Sequence, residues 1–163
     1  MLEVHPCGTE DRADLDALLA ESHREHLVRY PELAGSYRAR VSSDASFLLA
    51  RSGGSTAVGC VAVQPLALPE ATSGAYEIKR LYVHAGARRL GVGRMLVAAA
   101  EMVSVRLGAQ VLYLETGVRH TAALGLFREC GFTPVALYPP YLDDPFALCF
   151  SKRLAPIPTG PTD

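Results

Sequence analysis

The sequence predicts an α/β fold, more closely α+β, with a mixed central sheet and helices on both faces. Three observations predict it. Strand patterns fill much of the first half and strand then alternates with helix in the second, an order that gives a helix-covered mixed sheet. Residues 76–107 run as strand, glycine- and arginine-rich turn, and long helix, and the alternation is organised around that unit. The chain has 163 residues and is 49% hydrophobic, enough for one full core and too apolar for disorder. Residues 1–154 therefore read as a single domain, and the proline-rich polar tail 155–163 is expected to fray.

The elements follow in order. Leu2 to Pro6 reads as a first strand. Thr9 offers an N-cap, with Glu10 and Asp11 where a helix dipole favours anions. Leu15, Leu18, Leu19 and Leu27 form a helical stripe through Val28, and Tyr30-Pro31 ends it, because a residue before proline avoids the α region. A short second helix is expected around Gly35 to Val41. Ser46 to Arg51 and Ala57 to Leu66 are apolar strands joined at Gly53-Gly54, a hairpin signal. Leu68 to Ala75 is a loop.

In the central strand, period two puts Glu77, Lys79, Leu81 and Val83 on one face and Tyr76, Ile78, Arg80 and Tyr82 on the other. The next helix buries Leu96, Ala99, Ala100, Val103 and Leu107 and stops at Gly108. Val111 to Gly117 is an interior strand. His120 to Phe132 is a helix closed by Gly131, Pro134 to Leu137 starts a strand, and Phe146 to Leu154 is the last.

Net charge is −1, which gives no argument for nucleic acid or an anionic membrane as partner. Cys7, Cys60, Cys130 and Cys149 are far apart and fit no metal spacing, so buried thiols in a reducing cytoplasm are expected, with no metal. The N-terminus lacks the pattern of a signal peptide, and no stretch approaches the length of a membrane span.

The turn before the long helix carries the chemistry. A helix start leaves backbone N–H groups without intrahelical partners, and with the dipole they suit an anion. Gly91 and Gly93 let a ligand approach the backbone, and Arg88, Arg89 and Arg94 add positive charge. No Gly-Lys-Ser/Thr follows, and the two glycines do not make a dinucleotide fingerprint. Arg88-Arg89-Leu90-Gly91-Val92-Gly93 matches the Arg/Gln-x-x-Gly-x-Gly/Ala signature, and the chain resembles the GNAT superfamily of acetyl-CoA-dependent N-acetyltransferases. Many members have Gly where Arg89 stands, which implies a stiffer turn here.

After the fifth strand, His120, Ala123, Leu126, Phe127, Gly131 and Phe132 occupy the places of the family's Asn-x-x-Ala-x-x-Leu-Tyr and Gly-Phe pattern. His120 replaces an asparagine that contacts pantetheine, and Phe127 replaces a tyrosine used as general acid. The resemblance runs from about Leu2 to Leu154 and is specific in the second half. It implies a mostly antiparallel sheet of six to seven strands with a V-shaped splay. It implies that Arg88 to Arg94 hold the pyrophosphate of acetyl-CoA and that Leu81, Tyr82 and Val83 pair with pantetheine through their backbones. By position His120 and Phe127 join these cofactor contacts.

The implied activity is transfer of acetyl to a primary amine of a small molecule or peptide by direct attack. A non-catalytic acyl-CoA-binding module and a transferase of a larger acyl group remain as alternatives, and monomer or homodimer stays open. Such a reaction needs a base for the amine, donors for the developing oxyanion, and modest help for the thiolate. Glu77 is the candidate base, a carboxyl in an apolar strand fourteen residues before Gly91, where burial penalises the charged form. That spacing resembles the catalytic glutamate of the histone-acetyltransferase branch; pairing of Glu77 with Lys79 or Arg80 is the plain alternative. With Phe127 unable to donate, Tyr141 or Tyr138 could reach the thiol, or no acid is needed and both are ordinary loop aromatics. Tyr30, Asp143 and Asp144 are the candidate acceptor contacts, the acidic pair beside Pro139-Pro140 and Tyr141 suiting a cationic amine. An ordinary solvated turn explains the same pair.

Overall fold

The structure is a computed structural model, and it describes residues 1–36, 41–69 and 74–156. Among the described residues the strands are β1 (Leu2–Pro6), β2 (Ser46–Ser52), β3 (Thr56–Pro65), β4 (Ala75–Val83), β5 (Val111–Gly117), β6 (Thr133–Val135) and β7 (Ala147–Arg153). Among the described residues the α-helices are α1 (Arg12–Arg29), α2 (Val92–Arg106) and α3 (Thr121–Glu129). The strands follow the order β1-β2-β3-β4-β5-β7-β6 in an open sheet, and β1–β2, β2–β3, β5–β7 and β6–β7 pair antiparallel. The chain forms two compact units: Met1–Gln64 with Ile78–Ala100, and Pro65–Glu77 with Glu101 onward.

In the first unit, α1 lays Leu15 and Leu18 on Leu49 of β2, Cys60 of β3 and Tyr82 of β4. The β2–β3 loop carries Gly53 and Gly54 at φ +63° and +80°, left-handed values that twist the strands toward each other as a hairpin requires. Thr9 is not the N-cap of α1. Thr9–Asp11 form a 3-10 turn preceded by Gly8, because the Asp11 carboxylate reaches back to the Gly8 N–H at 2.9 Å. The same carboxylate meets Arg51 at 2.5 Å and His5 at 3.2 Å, and Arg51 also binds Asp14 at 2.7 Å. Tyr30 ends α1 as expected, its N–H bonded to the His26 carbonyl. Most of the expected helix at 35–41 lies outside the described residues.

Arg80 departs from the expected pleat. It takes φ +56°, and a left-handed residue inside a strand kinks it as a bulge does. Burial along β4 no longer alternates strictly: Ala75, Glu77, Ile78 and Tyr82 are buried. Further along the unit, Val92, Leu96, Val97 and Ala100 form the buried stripe of α2.

In the second unit, β7 lies between β5 and β6, with Val111↔Arg153 and Val135↔Cys149 fixing the registers. Leu112, Leu114 and Thr116 are buried on one face of β5, which leaves Tyr113 and Glu115 on the other. Ser104 of α2 is fully buried, whereas Leu107, expected on the buried stripe, is 47% exposed because the helix already ends at Arg106. The loop before β7 packs Tyr138 and Tyr141 against Ala147 and Cys149, with Leu66, Leu68 and Tyr113 around them.

Candidate active site

The turn feeding α2 is built from local geometry. His84 follows β4 and accepts the Gly86 N–H on Nδ1 at 3.2 Å, opening a 3-10 turn at Ala85–Ala87. Arg89 and Gly91 then adopt φ +66° and +82°, reversing the chain before the helix. A Cβ built at Gly91 meets nothing within 4 Å, so the ground in front of the turn is open. Since α2 starts at Val92, the N–H groups of Val92 and Gly93 precede the first intrahelical donors and suit an anion. Arg89, Leu90 and Arg94 are exposed beside them. Backbone donors, an open left-handed glycine and exposed guanidiniums fit a pyrophosphate.

Arg88 is placed differently from its neighbours. Its guanidinium binds both oxygens of Glu25 on α1, at 2.8 and 2.7 Å. Its Nε donates to the Val83 carbonyl at 3.0 Å, and its guanidinium carbon lies 5.7 Å from the Tyr82 ring centroid. The Tyr82 hydroxyl donates to Glu25 at 2.8 Å and lies 3.3 Å from Glu21. Burial opposes the charge on Glu25, yet the Arg88 and Tyr82 donors hold its carboxyl below the ordinary value. Burial, with Glu25 as acceptor, pushes the Tyr82 phenol well up. Arg88 thus ties the end of β4 and the turn to α1. At the carbonyl of Val83, a backbone group expected to face pantetheine, it already donates a bond.

The second unit gathers the acid–base groups. Glu77 is 2% exposed, and Tyr138 donates to its Oε2 at 2.6 Å. Tyr141 also hydrogen-bonds Glu77, and the Tyr141 N–H bonds the Tyr138 carbonyl at 2.8 Å, a turn that puts both phenols on one carboxylate. The Tyr138 ring stands edge-on to Tyr113 at 5.5 Å and to Tyr141 at 5.4 Å. Burial first, and the nearby Glu77 charge second, push both phenols far above the ordinary tyrosine range. Burial likewise raises the Cys149 thiol to about 11, with Glu115, Glu77 and Asp144 adding to it.

The remaining candidates lie elsewhere. Tyr30 is 1% exposed, its ring 5.0 Å from that of His26. His120 precedes α3, and Phe127 is buried with its ring 5.9 Å from Phe132. Asp144 accepts the Phe146 N–H at 2.9 Å, and Asp143 is exposed beside it. Glu115 on β5, opposite Cys149 of β7, and the Tyr138 bond to Glu77 were missed by sequence reasoning. The alternation Tyr113-x-Glu115 could have shown that both share a face. Among the described residues no group of three or more His, Cys, Asp or Glu could hold a metal ion, and no helix is long and apolar enough to cross a membrane.

The model of the acetyltransferase (GNAT) family matches residues 12–132. An IAA acetyltransferase of Azospirillum brasilense is 38% identical over 145 residues, covering 88% of this chain and 85% of that protein. A crystal structure assigned to the acyl-CoA N-acyltransferases, from Klebsiella pneumoniae, is similar with a TM-score of 0.74 and 28% identity, over 95% of this chain and 99% of that one. The PaiA N-acetyltransferase of Thermoplasma acidophilum, solved with coenzyme A, shares the fold at a TM-score of 0.68 and 16% identity, over 94% and 99% of the two chains.

Proposed function

The chain belongs to the GNAT family of acetyltransferases, an acyl-CoA-dependent enzyme family, and on that premise we propose that it acetylates a primary amine of a small molecule or peptide. Acetyl-CoA, when bound, supplies an acetyl group already activated as a thioester. The N–H groups of Val92 and Gly93, with Arg89 and Arg94, receive the pyrophosphate in front of Gly91, and Leu90 borders it. Leu81, Tyr82 and Val83 offer backbone groups to pantetheine, with His120 and Phe127 as contacts by position. Arg88 keeps the turn in place through Glu25 rather than meeting phosphate itself.

The observation that carries catalysis is the buried Glu77 carboxylate, on the strand that leads into the turn, with phenol donors on it. An alkylamine of pKa near ~10 is almost wholly protonated at neutral pH, so a base must take its proton. Glu77 accepts that proton, through a bridging water or phenol, because so little of it is exposed. Tyr141 is proposed to offer the departing thiolate a hydrogen bond and not its proton, since a thiol of pKa about 8.5 can leave as the thiolate while burial holds the phenol protonated. Asp143 and Asp144 are proposed to line the acceptor side, whereas Tyr30, 1% exposed, stays packed beside His26.

The test has two steps. Calorimetric titration with coenzyme A should give binding, and thiol release from acetyl-CoA across alkylamines, arylalkylamines, amino acids and peptides should give turnover. Absence of binding at millimolar coenzyme A defeats the whole proposal. Tight binding with silence across the panel leaves a non-catalytic module, motivated by Phe127 in the tyrosine place. Faster turnover with propionyl- or succinyl-CoA reassigns the acyl group.

A further inference from the structure

We propose that Gly59 of β3 is a positioning residue for the cofactor: its missing side chain lets the end of β4 and the first turn of α2 seat on β3, and that seating aims the backbone groups that receive coenzyme A. This rests on the reading that the β4–α2 turn holds the cofactor, and it concerns a residue outside the turn motif. A glycine inside a strand weakens it, so such a glycine marks a bulge or a close approach of other atoms. Gly59 shows both. The β2–β3 register shifts beside it, with Ala50 opposite Gly59 and Arg51 opposite Ala57, which leaves Val58 as the extra residue. The Val58 carbonyl accepts the His84 N–H at 2.9 Å and so ties the bulge to the residue that opens the turn.

The close approach is the stronger reason. Gly59 is buried and does not take a positive φ, so space and not backbone angle excludes a side chain. A Cβ built on it would stand 2.8 Å from the Tyr82 carbonyl oxygen, 3.0 Å from Leu96 Cδ1 and 3.3 Å from Val92 Cγ1. The first of these is backbone, which cannot swing aside as the tip of a side chain does. The other two belong to side chains in the buried stripe of α2, where close packing leaves little slack. Val92 starts α2 and offers its N–H to the pyrophosphate, and Tyr82 is the middle of the Leu81–Val83 backbone offered to pantetheine. A single methyl group at position 59 therefore presses on both parts of the proposed cofactor site.

Gly59→Ala tests this, with Gly74→Ala as the control for crowding alone. A Cβ at Gly74, where φ is +73°, would stand 2.9 Å from the Gly108 carbonyl oxygen, so that variant should lose stability too. Calorimetric titration with coenzyme A and the amide NMR signals of Val92 and Gly93 are recorded for both variants beside the wild type. Gly59→Ala should weaken coenzyme A binding by about tenfold or more, since overpacking a closed core displaces backbone. Its Val92 and Gly93 amide signals should move before any ligand is added. Gly74→Ala should leave those signals in place and bind within about twofold of the wild type. A wild type that does not bind coenzyme A defeats the cofactor reading and the proposal with it. Wild-type affinity in Gly59→Ala, or unmoved amide signals, overturns the positioning role alone. So does an equal loss of affinity in Gly74→Ala, because affinity would then follow stability and not the seating of α2. If Gly59→Ala does not fold, Gly59→Ala with Leu96→Ala, which removes the Cδ1 at 3.0 Å, is compared with Leu96→Ala alone. The Tyr82 carbonyl remains in the way, so the pair should still bind coenzyme A about tenfold more weakly than Leu96→Ala. Equal affinities overturn the proposal.

Discussion

Arg89 stands at φ +66° in the turn before α2, and two substitutions there separate backbone strain from charge. A residue with a Cβ in the left-handed region costs roughly 1–2 kcal/mol, which glycine avoids. Arg89→Ala and Arg89→Gly remove the same guanidinium from an exposed position, so neither leaves a cavity. They differ in that strain and in the freedom of the unfolded chain, where glycine loses about 0.4–1 kcal/mol. The glycine variant should therefore be more stable than the alanine variant by about 0.5–1 kcal/mol. For a chain of this size, 1 kcal/mol moves the melting temperature by roughly 2–4 °C, so the expected gap is about 1–4 °C. Differential scanning calorimetry without ligand measures it, and both variants should lose similar affinity for coenzyme A. An alanine variant that melts as high as the glycine variant refutes the reasoning, because the turn would then carry no left-handed strain at this position.

Gly91→Arg sets a long side chain at φ +82° in the open ground proposed for the pyrophosphate, and it should abolish the heat of coenzyme A binding while the protein still melts cooperatively. Asp143→Asn with Asp144→Asn keeps an acceptor for the Phe146 N–H but removes two charges. The acceptor KM at low salt should rise, and a change under about twofold, worth roughly 0.4 kcal/mol, shows the loop does not choose the amine. Asp11 is held down to about 2 by the Arg51 guanidinium and the Gly8 N–H. A depressed carboxyl stabilises the fold above its unfolded value and loses that contribution as pH falls through the folded one, here from about pH 4 to about pH 2. Urea melts of Arg51→Met should show a deficit at pH 7 that shrinks across this window; a constant deficit would mean that Arg51 acts through packing alone.

Much of the fold was legible because its signals are local. The β5 strand falls on the predicted residues 111–117, since an apolar run between Gly108 and a second glycine leaves little freedom. Gly53-Gly54 marked the β2–β3 loop because few residues other than glycine adopt left-handed angles side by side. Long-range pairings were not legible. Arg88 reads as a phosphate ligand from its place in the motif, but its carboxylate partner lies 63 positions away on α1. Tyr138 and Glu77 are 61 positions apart, and only the packed loop brings a phenol onto that carboxylate.

The backbone of β4 was misread for a different reason. Period two predicts a regular pleat through residues 76–83, and nothing in arginine's chemistry announces φ +56° at Arg80. Among the described residues, Arg80 and Arg89 are the non-glycine residues with positive φ. One lies in the strand, and one in the turn, that are proposed to hold the cofactor. Left-handed angles at such residues cost free energy and persist only where surrounding contacts impose them. At Arg80 those contacts include the Cys60 thiol donating to its carbonyl at 3.6 Å and its own guanidinium donating to the Leu19 carbonyl at 3.4 Å. Sequence rules describe the relaxed chain, so they fail where tertiary contacts hold it away from relaxation. The failure at Arg80, on the strand that leads into the turn, is an argument for a working site made from the backbone and outside the glycine motif.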